Sequence, residues 1–170
     1  LALSPDDLKL GVMEVIGRLL NLSGDRPRVV AANVTSEALQ GRLVPSVRAQ
    51  AGPVKIGVTA VVDPEKIKKL QDDAIDLLTV KPIDETLPGV LADLEKDTQT
   101  QVLFVQGEPE LAKTLAEKYP GFDIVVGTSA IADPDGDAPR LNGGKTLLVN
   151  VGHKGKYVGV CGQGPTDRAE

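Results

Sequence analysis

The residues that could do chemistry are few and crowd toward the C-terminus. The single histidine, His153, stands in "VNVGHKGKYVGV" among glycines and lysines, and the single cysteine, Cys161, follows in the same region. Just upstream, "DPDGDAPRLNGGKT" joins alternating carboxylates to a Gly-Gly-Lys-Thr run. Each suggests a reaction class, and each fails on spacing or partners. A phosphate-cradling loop needs a Gly five residues before its second Gly, and a helix afterwards. Pro139 holds that place relative to Gly144, and the strand-like "KTLLVNVG" follows, so a hairpin turn leading Lys145 into a strand is the better reading. Asp133, Asp135 and Asp137 alternate as in a calcium loop, which wants Gly at position six and Glu at position twelve. Those places hold Ala138 and Gly144, leaving a solvated acidic turn. A catalytic histidine needs a nucleophile or an orienting carboxylate, and a metal centre needs several ligands. His153 has no such companion in the sequence and reads as a turn histidine, while Cys161, closing an apolar strand, reads as a buried structural thiol.

Composition narrows the classes further. The chain has 170 residues, 41% apolar and 25% charged, enough for one domain with a real core. Aromatics are 2% and Trp is absent, so Val, Leu, Ile and Ala must build that core. Few aromatics argue against stacking on single-stranded nucleic acid, and a net charge of −5 argues against a phosphate-backbone partner. One cysteine allows no internal disulfide. No apolar run is long enough to span a bilayer. The opening "LALSPDDLKLG" lacks the basic-then-apolar order of a signal peptide, and a start without Met suits a processed chain or an excised piece.

The elements that would position any site follow from periodicity. Leu8, Val12, Val15, Ile16 and Leu19 predict a helix over residues 5–20, with Pro5, Asp6 and Asp7 in its first turn. A buried strand over 28–34 follows. Two strands then flank a Gly52-Pro53 turn, the second rich in β-branched residues. "DPEKIKKLQDD" predicts a short polar helix, and "IDLLTVKPI" an extended segment. A helix from about Asp84 keeps Pro88 in its opening turn. "QVLFVQ" and "FDIVVGTS" predict strands, with the helix "EPELAKTLAEKY" between them. "KTLLVNVG" and "GKYVGVCG" close the chain as two strands. Strands alternating with helices and ending in a hairpin-like pair predict an α/β fold, a layered mixed β-sheet with flanking helices. A single domain over residues 1–164 with a polar tail at 165–170 is the simplest organisation.

In this order the segments resemble a known family. "NVGHKGKYVGV" is similar to the closing signature of the 5′-nucleotidase branch of the calcineurin-like metallophosphoesterases. "PRVVAANV" resembles that family's strand ending in Ala-Asn-Val, and "AGPVKIGVTAVVDPE" its Gly-x-Lys-Val-Gly strand. "FDIVVGTSA" resembles the strand leading into its Gly-His-x-His motif. The likeness spans essentially the whole chain. It implies the C-terminal half of a two-sheet sandwich whose enzymes hold two divalent cations, Mn or Zn, roughly 3.5–4 Å apart for phosphoester hydrolysis.

Carried over motif by motif, the resemblance implies a degenerate metal site. Where the family has Asn-His-Glu, this chain has Pro5, Asp6 and Asp7. The lone histidine of the next motif falls on Gln106 in "LFVQGE". Gly-His-x-His reads Gly127-Thr128-Ser129-Ala130, and the family's first two motifs would lie before Leu1. His153 falls on a variable position. Pro and Ala carry no side-chain ligand atom, and Thr and Gln offer only neutral oxygens. Asp6 and Asp7 are the remaining candidates, fit for one hard cation at best or for the helix dipole.

Three functions follow as expectations. The first is a non-catalytic binding or assembly module with no cofactor. The second is a metal-dependent phosphoesterase or nucleotidase, its site completed from outside this chain or displaced onto Asp6, Asp7 and the acidic turn. The third is a nucleotide or small-anion binding module using Gln106, Thr128 and Ser129 at strand ends. Half of a sandwich would expose apolar sheet, so an upstream segment, a protein partner or a second copy in a homodimer should cover it. The resemblance implies export to a periplasmic or extracellular compartment.

Overall fold

The computed structural model describes residues 1–21, 28–128 and 137–152. Ser129, Ala130, Asp133, Asp135, His153, Cys161, the strand expected at 155–162 and the tail at 165–170 lie outside the described residues. The chain runs α1 (Pro5–Leu8), α2 (Val12–Leu20), β1 (Val29–Val30), β2 (Val34–Thr35), β3 (Leu43–Val44), β4 (Ser46–Ala51) and β5 (Val54–Val62). It continues through α3 (Pro64–Lys68), β6 (Thr79–Val80), α4 (Ile83–Leu94), β7 (Thr100–Gln106), α5 (Pro109–Lys118), β8 (Ile124–Thr128), β9 (Arg140–Leu141) and β10 (Thr146–Val151). This is the expected α/β fold with a mixed sheet.

Six strands form the main sheet in the order β4-β5-β7-β8-β10-β9. β5, β7, β8 and β10 are parallel, while β4 and β9 close the edges antiparallel. Parallel neighbours need long crossovers; α4 lies in the connection from β5 to β7 and α5 in that from β7 to β8. α4 buries Ile83, Leu87, Leu91 and Leu94, a helical stripe, and α5 buries Ala112, Leu115 and Ala116. With Leu103, Val105, Phe122, Val125 and Leu148 these residues, Leu94 apart, form one core. A second core gathers Leu3, Leu8, Val12, Ile16, Val34, Leu39 and Val62. Successive residues of a strand point to opposite faces. Val61 therefore joins the first core and its neighbour Val62 the second.

Several expected elements differ, each for a local reason. The helix expected over 5–20 is two helices. Backbone bonds Leu10 N to Asp7 O and Gly11 N to Leu8 O close α1, and Gly11 takes φ 102°. α2 then restarts at Val12, whose N–H is capped at 2.8 Å by Asp72 Oδ2. The strand expected over 28–34 divides into β1 and β2. β1 pairs parallel with β3, and β2 antiparallel with β6. The segment expected to be extended opens with a 3-10 turn at Ile75–Leu77 before β6. α4 starts at Ile83, which places Pro88 inside the helix rather than in its opening turn. The turn before β10 is a 3-10 turn at Asn142–Gly144 with positive φ at all three residues. A strand follows, in keeping with the hairpin reading of Gly-Gly-Lys-Thr.

Candidate functional site

Ligands of parallel α/β sheets gather where the strands end at their carboxyl side. Here that edge is built by the ends of β5, β7, β8 and β10. The register pairs Val62 with Gln106 and Val105 with Gly127. Gln106 and Thr128 therefore stand side by side on the same face, both half-buried. The Thr128 hydroxyl donates toward the carbonyls of Val105 and Gly107, both at 3.4 Å, and so spans the end of β7. Its lone pairs remain available as acceptors. The Gln106 carbonyl accepts Asp63 N–H at 3.0 Å. Its carboxamide carries no hydrogen bond among the described residues.

The groups around this edge are mostly acidic. Asp63 caps α3, its Oδ1 accepting Glu65 N–H at 3.0 Å. Glu108 precedes α5, and its Oε1 lies 2.6 Å from Lys66 Nζ. Hydrogen bonding to that ammonium holds the Glu108 carboxyl below its ordinary range. Hydrogen bonding to Glu108, helped by the charges of Asp63 and Asp6, raises Lys66. Gly107 is required here for contact rather than for backbone angle, because a Cβ would meet Leu111 Cδ2 at 2.9 Å and Asp63 Cβ at 3.0 Å.

The first-turn residues of α1 are occupied. Asp7 forms a capping box with Ser4: Ser4 N–H donates to Asp7 Oδ2 at 2.9 Å, and Asp7 N–H donates to Ser4 Oγ at 3.2 Å. Asp6 Oδ1 lies 2.6 Å from Lys9 Nζ. Pro5 opens the helix and is buried. Asp137 is exposed. No group of three or more His, Cys, Asp and Glu side chains able to hold a metal exists among the described residues. Among the described residues that the resemblance marks, Pro5 has no donor atom, the Asp7 carboxylate is a helix cap, Asp6 is paired to lysine and Gln106 is neutral, a donor set that does not fit a dinuclear metal. No helix among the described residues is long and apolar enough to cross a membrane.

Sequence reasoning singled out neither Asp63, Lys66 and Glu108 nor Asn33. The first and third each precede a proline that opens a helix, a legible start signal. Asn33 lay inside a quoted motif, but its burial at 1% exposure was not legible. A cavity of about 470 Å³ lies at the opposite end of the sheet, lined by Arg48, Gln50, Lys55, Asp97 and Thr98, and takes no part in this edge.

No protein-family profile and no curated protein matches the chain. Solved structures do. The sulfate thiohydrolase SoxB of Thermus thermophilus aligns with a TM-score of 0.70 at 20% identity, over 88% of this chain and 27% of its own. A 5′-nucleotidase precursor, also from Thermus thermophilus, aligns with a TM-score of 0.68 at 18% identity, over 88% and 32%. A calcineurin-like phosphoesterase of Bacillus subtilis aligns with a TM-score of 0.60 at 16% identity, over 86% and 52%. The chain thus spans about a third or less of the first two proteins. It has the fold of part of a calcineurin-like phosphoesterase of the 5′-nucleotidase kind.

Proposed function

We propose that this chain is a non-catalytic module of the phosphoesterase fold that serves binding or assembly. One observation carries the reading: the carboxylate of Asp7, at the family's ligand motif, is a reciprocal helix cap with Ser4. Pulling it toward a cation would break the Ser4 N–H bond to Asp7 Oδ2 and leave the capping box with only its Asp7 N–H to Ser4 Oγ half. With Asp6 paired to Lys9 and Gln106 neutral, the described positions offer no ligand set for two metals. The sheet of such a module needs a second layer, from an upstream segment, a partner or a copy. Export is the compartment the resemblance favours.

Calorimetric titration with Mn²⁺ and Zn²⁺, on the chain together with whatever polypeptide precedes Leu1, tests this. No stoichiometric binding is expected. Two metals per chain would overturn the reading and make nucleotide hydrolysis, with ligands outside the described residues, the leading one.

A second reading rests on the unpartnered Gln106 carboxamide beside the Thr128 hydroxyl. Those groups could hold a neutral polar moiety such as a nucleobase or ribose. The acidic neighbours Asp63 and Glu108 disfavour a bare phosphate. A nucleoside that raises the melting temperature supports it, and a nucleotide that does so while the nucleoside does not contradicts it.

A further inference from the structure

The chain has four asparagines, Asn21, Asn33, Asn142 and Asn150, and of these Asn142 alone is followed by glycine. That pairing has its own chemistry. The backbone nitrogen of the following residue attacks the side-chain Cγ, and a glycine there puts no Cβ in the way. The bond from Cγ to the amide nitrogen breaks. The proton of the attacking N–H passes through solvent to the departing nitrogen, which leaves as ammonia. Water then opens the five-membered imide at one carbonyl or the other, giving Asp or isoaspartate. The step needs only water. Leu22, Val34 and Val151 follow the other three asparagines, and their larger side chains crowd the same attack.

The turn is open where the attack comes and tied where the ammonia must leave. Gly143 is exposed, and nothing lies within 4 Å of the place a Cβ would take. Asn142 is half-buried, and its Nδ2 donates at 2.8 Å to the Ala116 carbonyl and at 2.8 Å to Thr146 Oγ1. Thr146 is fully buried. A nitrogen held as a double donor must be released from both bonds before it can take up a proton and depart. Ala116 stands in the last turn of α5, where carbonyls have no partner within the helix. Asn142 therefore also fastens the turn to that helix end. We infer that Asn142, with Gly143 after it, is a spontaneous deamidation site held in check by these two bonds, and that its conversion unfastens the β9–β10 turn from α5. A carboxylate has no proton to donate and would face the Ala116 carbonyl oxygen. Isoaspartate also adds a carbon to the main chain between β9 and β10. Their register pairs Leu141 with Thr146 around a turn with positive φ at three residues, and has no slack for it.

Incubating the 170-residue chain at mildly alkaline pH, folded and in guanidinium chloride side by side, tests the inference. Trypsin cuts after Arg140 and Lys145, and mass spectrometry of residues 141–145 reads the change from amide to acid. In denaturant Asn142 should convert ahead of Asn21, Asn33 and Asn150. In the folded chain its rate should fall by about 10-fold or more, the factor that two net hydrogen bonds set. Thr146→Val keeps the shape and strand propensity but removes one acceptor, and should raise the folded rate by about 3–10-fold. Asn142→Asp installs a product from the start; it should keep the circular dichroism of wild type and melt about 5 °C lower. A folded wild type that converts as fast as the denatured chain overturns the inference, and this comparison needs no variant to fold. So does an Asn142 that converts no faster than the other asparagines in denaturant, a folded Thr146→Val chain no faster than wild type, or an Asn142→Asp chain that melts like wild type. None of these outcomes bears on the non-catalytic reading, which metal titration tests separately.

Discussion

The side-chain amide of Asn33 pairs with both backbone polar groups of Val62. Nδ2 donates to the Val62 carbonyl at 2.8 Å, and Oδ1 accepts the Val62 N–H at 2.9 Å. Nδ2 also reaches the Lys81 carbonyl at 3.3 Å, and Lys81 N–H donates to the Asn33 carbonyl at 2.9 Å. A side chain thus acts as a short piece of strand. It joins the link between β1 and β2 to the end of β5 and to the start of the α4 connection. Buried backbone groups must be paired, and here one amide does it for the carboxyl end of β5.

Asn33→Ala should therefore cost about 2–4 kcal/mol, because it leaves buried groups of Val62 without partners. Urea denaturation would measure it. Asn33→Asp should also destabilise near neutral pH, since a carboxylate oxygen would face two carbonyls. Its loss should shrink at acidic pH as the carboxyl protonates and regains a donor. An Asp variant as stable as wild type near neutral pH would contradict this pairing.

Asp72 caps α2 from 60 positions away, and its Oδ1 also accepts Ala74 N–H at 2.8 Å. Asp72→Ala should cost about 1 kcal/mol, as for loss of a helix N-cap. Asp72→Asn, which keeps one acceptor, should cost less. Hydrogen exchange at Val12 should accelerate in the Ala variant.

Two glycines should respond in opposite directions to Ala. A Cβ on Gly127 would lie 2.7 Å from Asn150 Oδ1 and 2.9 Å from Ala112 Cβ. Crowding β8 against α5 should cost about 1–3 kcal/mol. Gly17, inside α2, has nothing within 4 Å of the added atom. Gly17→Ala should stabilise by about 0.5–1 kcal/mol through helix propensity. Paired thermal melts would decide both.

Tyr119 ties α5 to α4. Its hydroxyl donates to Asp84 Oδ1 at 2.7 Å, and Lys118 Nζ lies 2.7 Å from Asp84 Oδ2. Burial first, then the Asp84 bond and charge, push the Tyr119 pKa up to about 12 from 10.0. The folded state thus keeps a proton that the unfolded chain loses earlier. The stability from this group is present below pH 10 and declines between pH 10 and about 12. Because burial is the larger cause, Asp84→Asn should return the phenol only partway toward its ordinary value in an ultraviolet titration.

The sequence by itself determined the elements whose periodicity is local. β4, β5, β7, β8, β10, α4 and α5 follow from runs of β-branched residues, helical stripes and proline or glycine punctuation, and they supply five of the six strands of the main sheet and the helices packed on it. It also determined that Pro5 and Ala130 could bring no ligand atom, because side-chain chemistry needs no fold to be absent. Only the tertiary structure decided the rest. The break at Gly11 depends on a carboxylate in a distant loop, and the division of the 28–34 segment depends on β3 and β6, which pair with its two halves. The capping role of Asp7 depends on Ser4 taking up the N-cap geometry of a four-residue helix rather than a loose first turn. The adjacency of Gln106 and Thr128 is a matter of strand register. Each strand shows its own alternation, but which rows meet is settled by pairing across segments far apart in the chain.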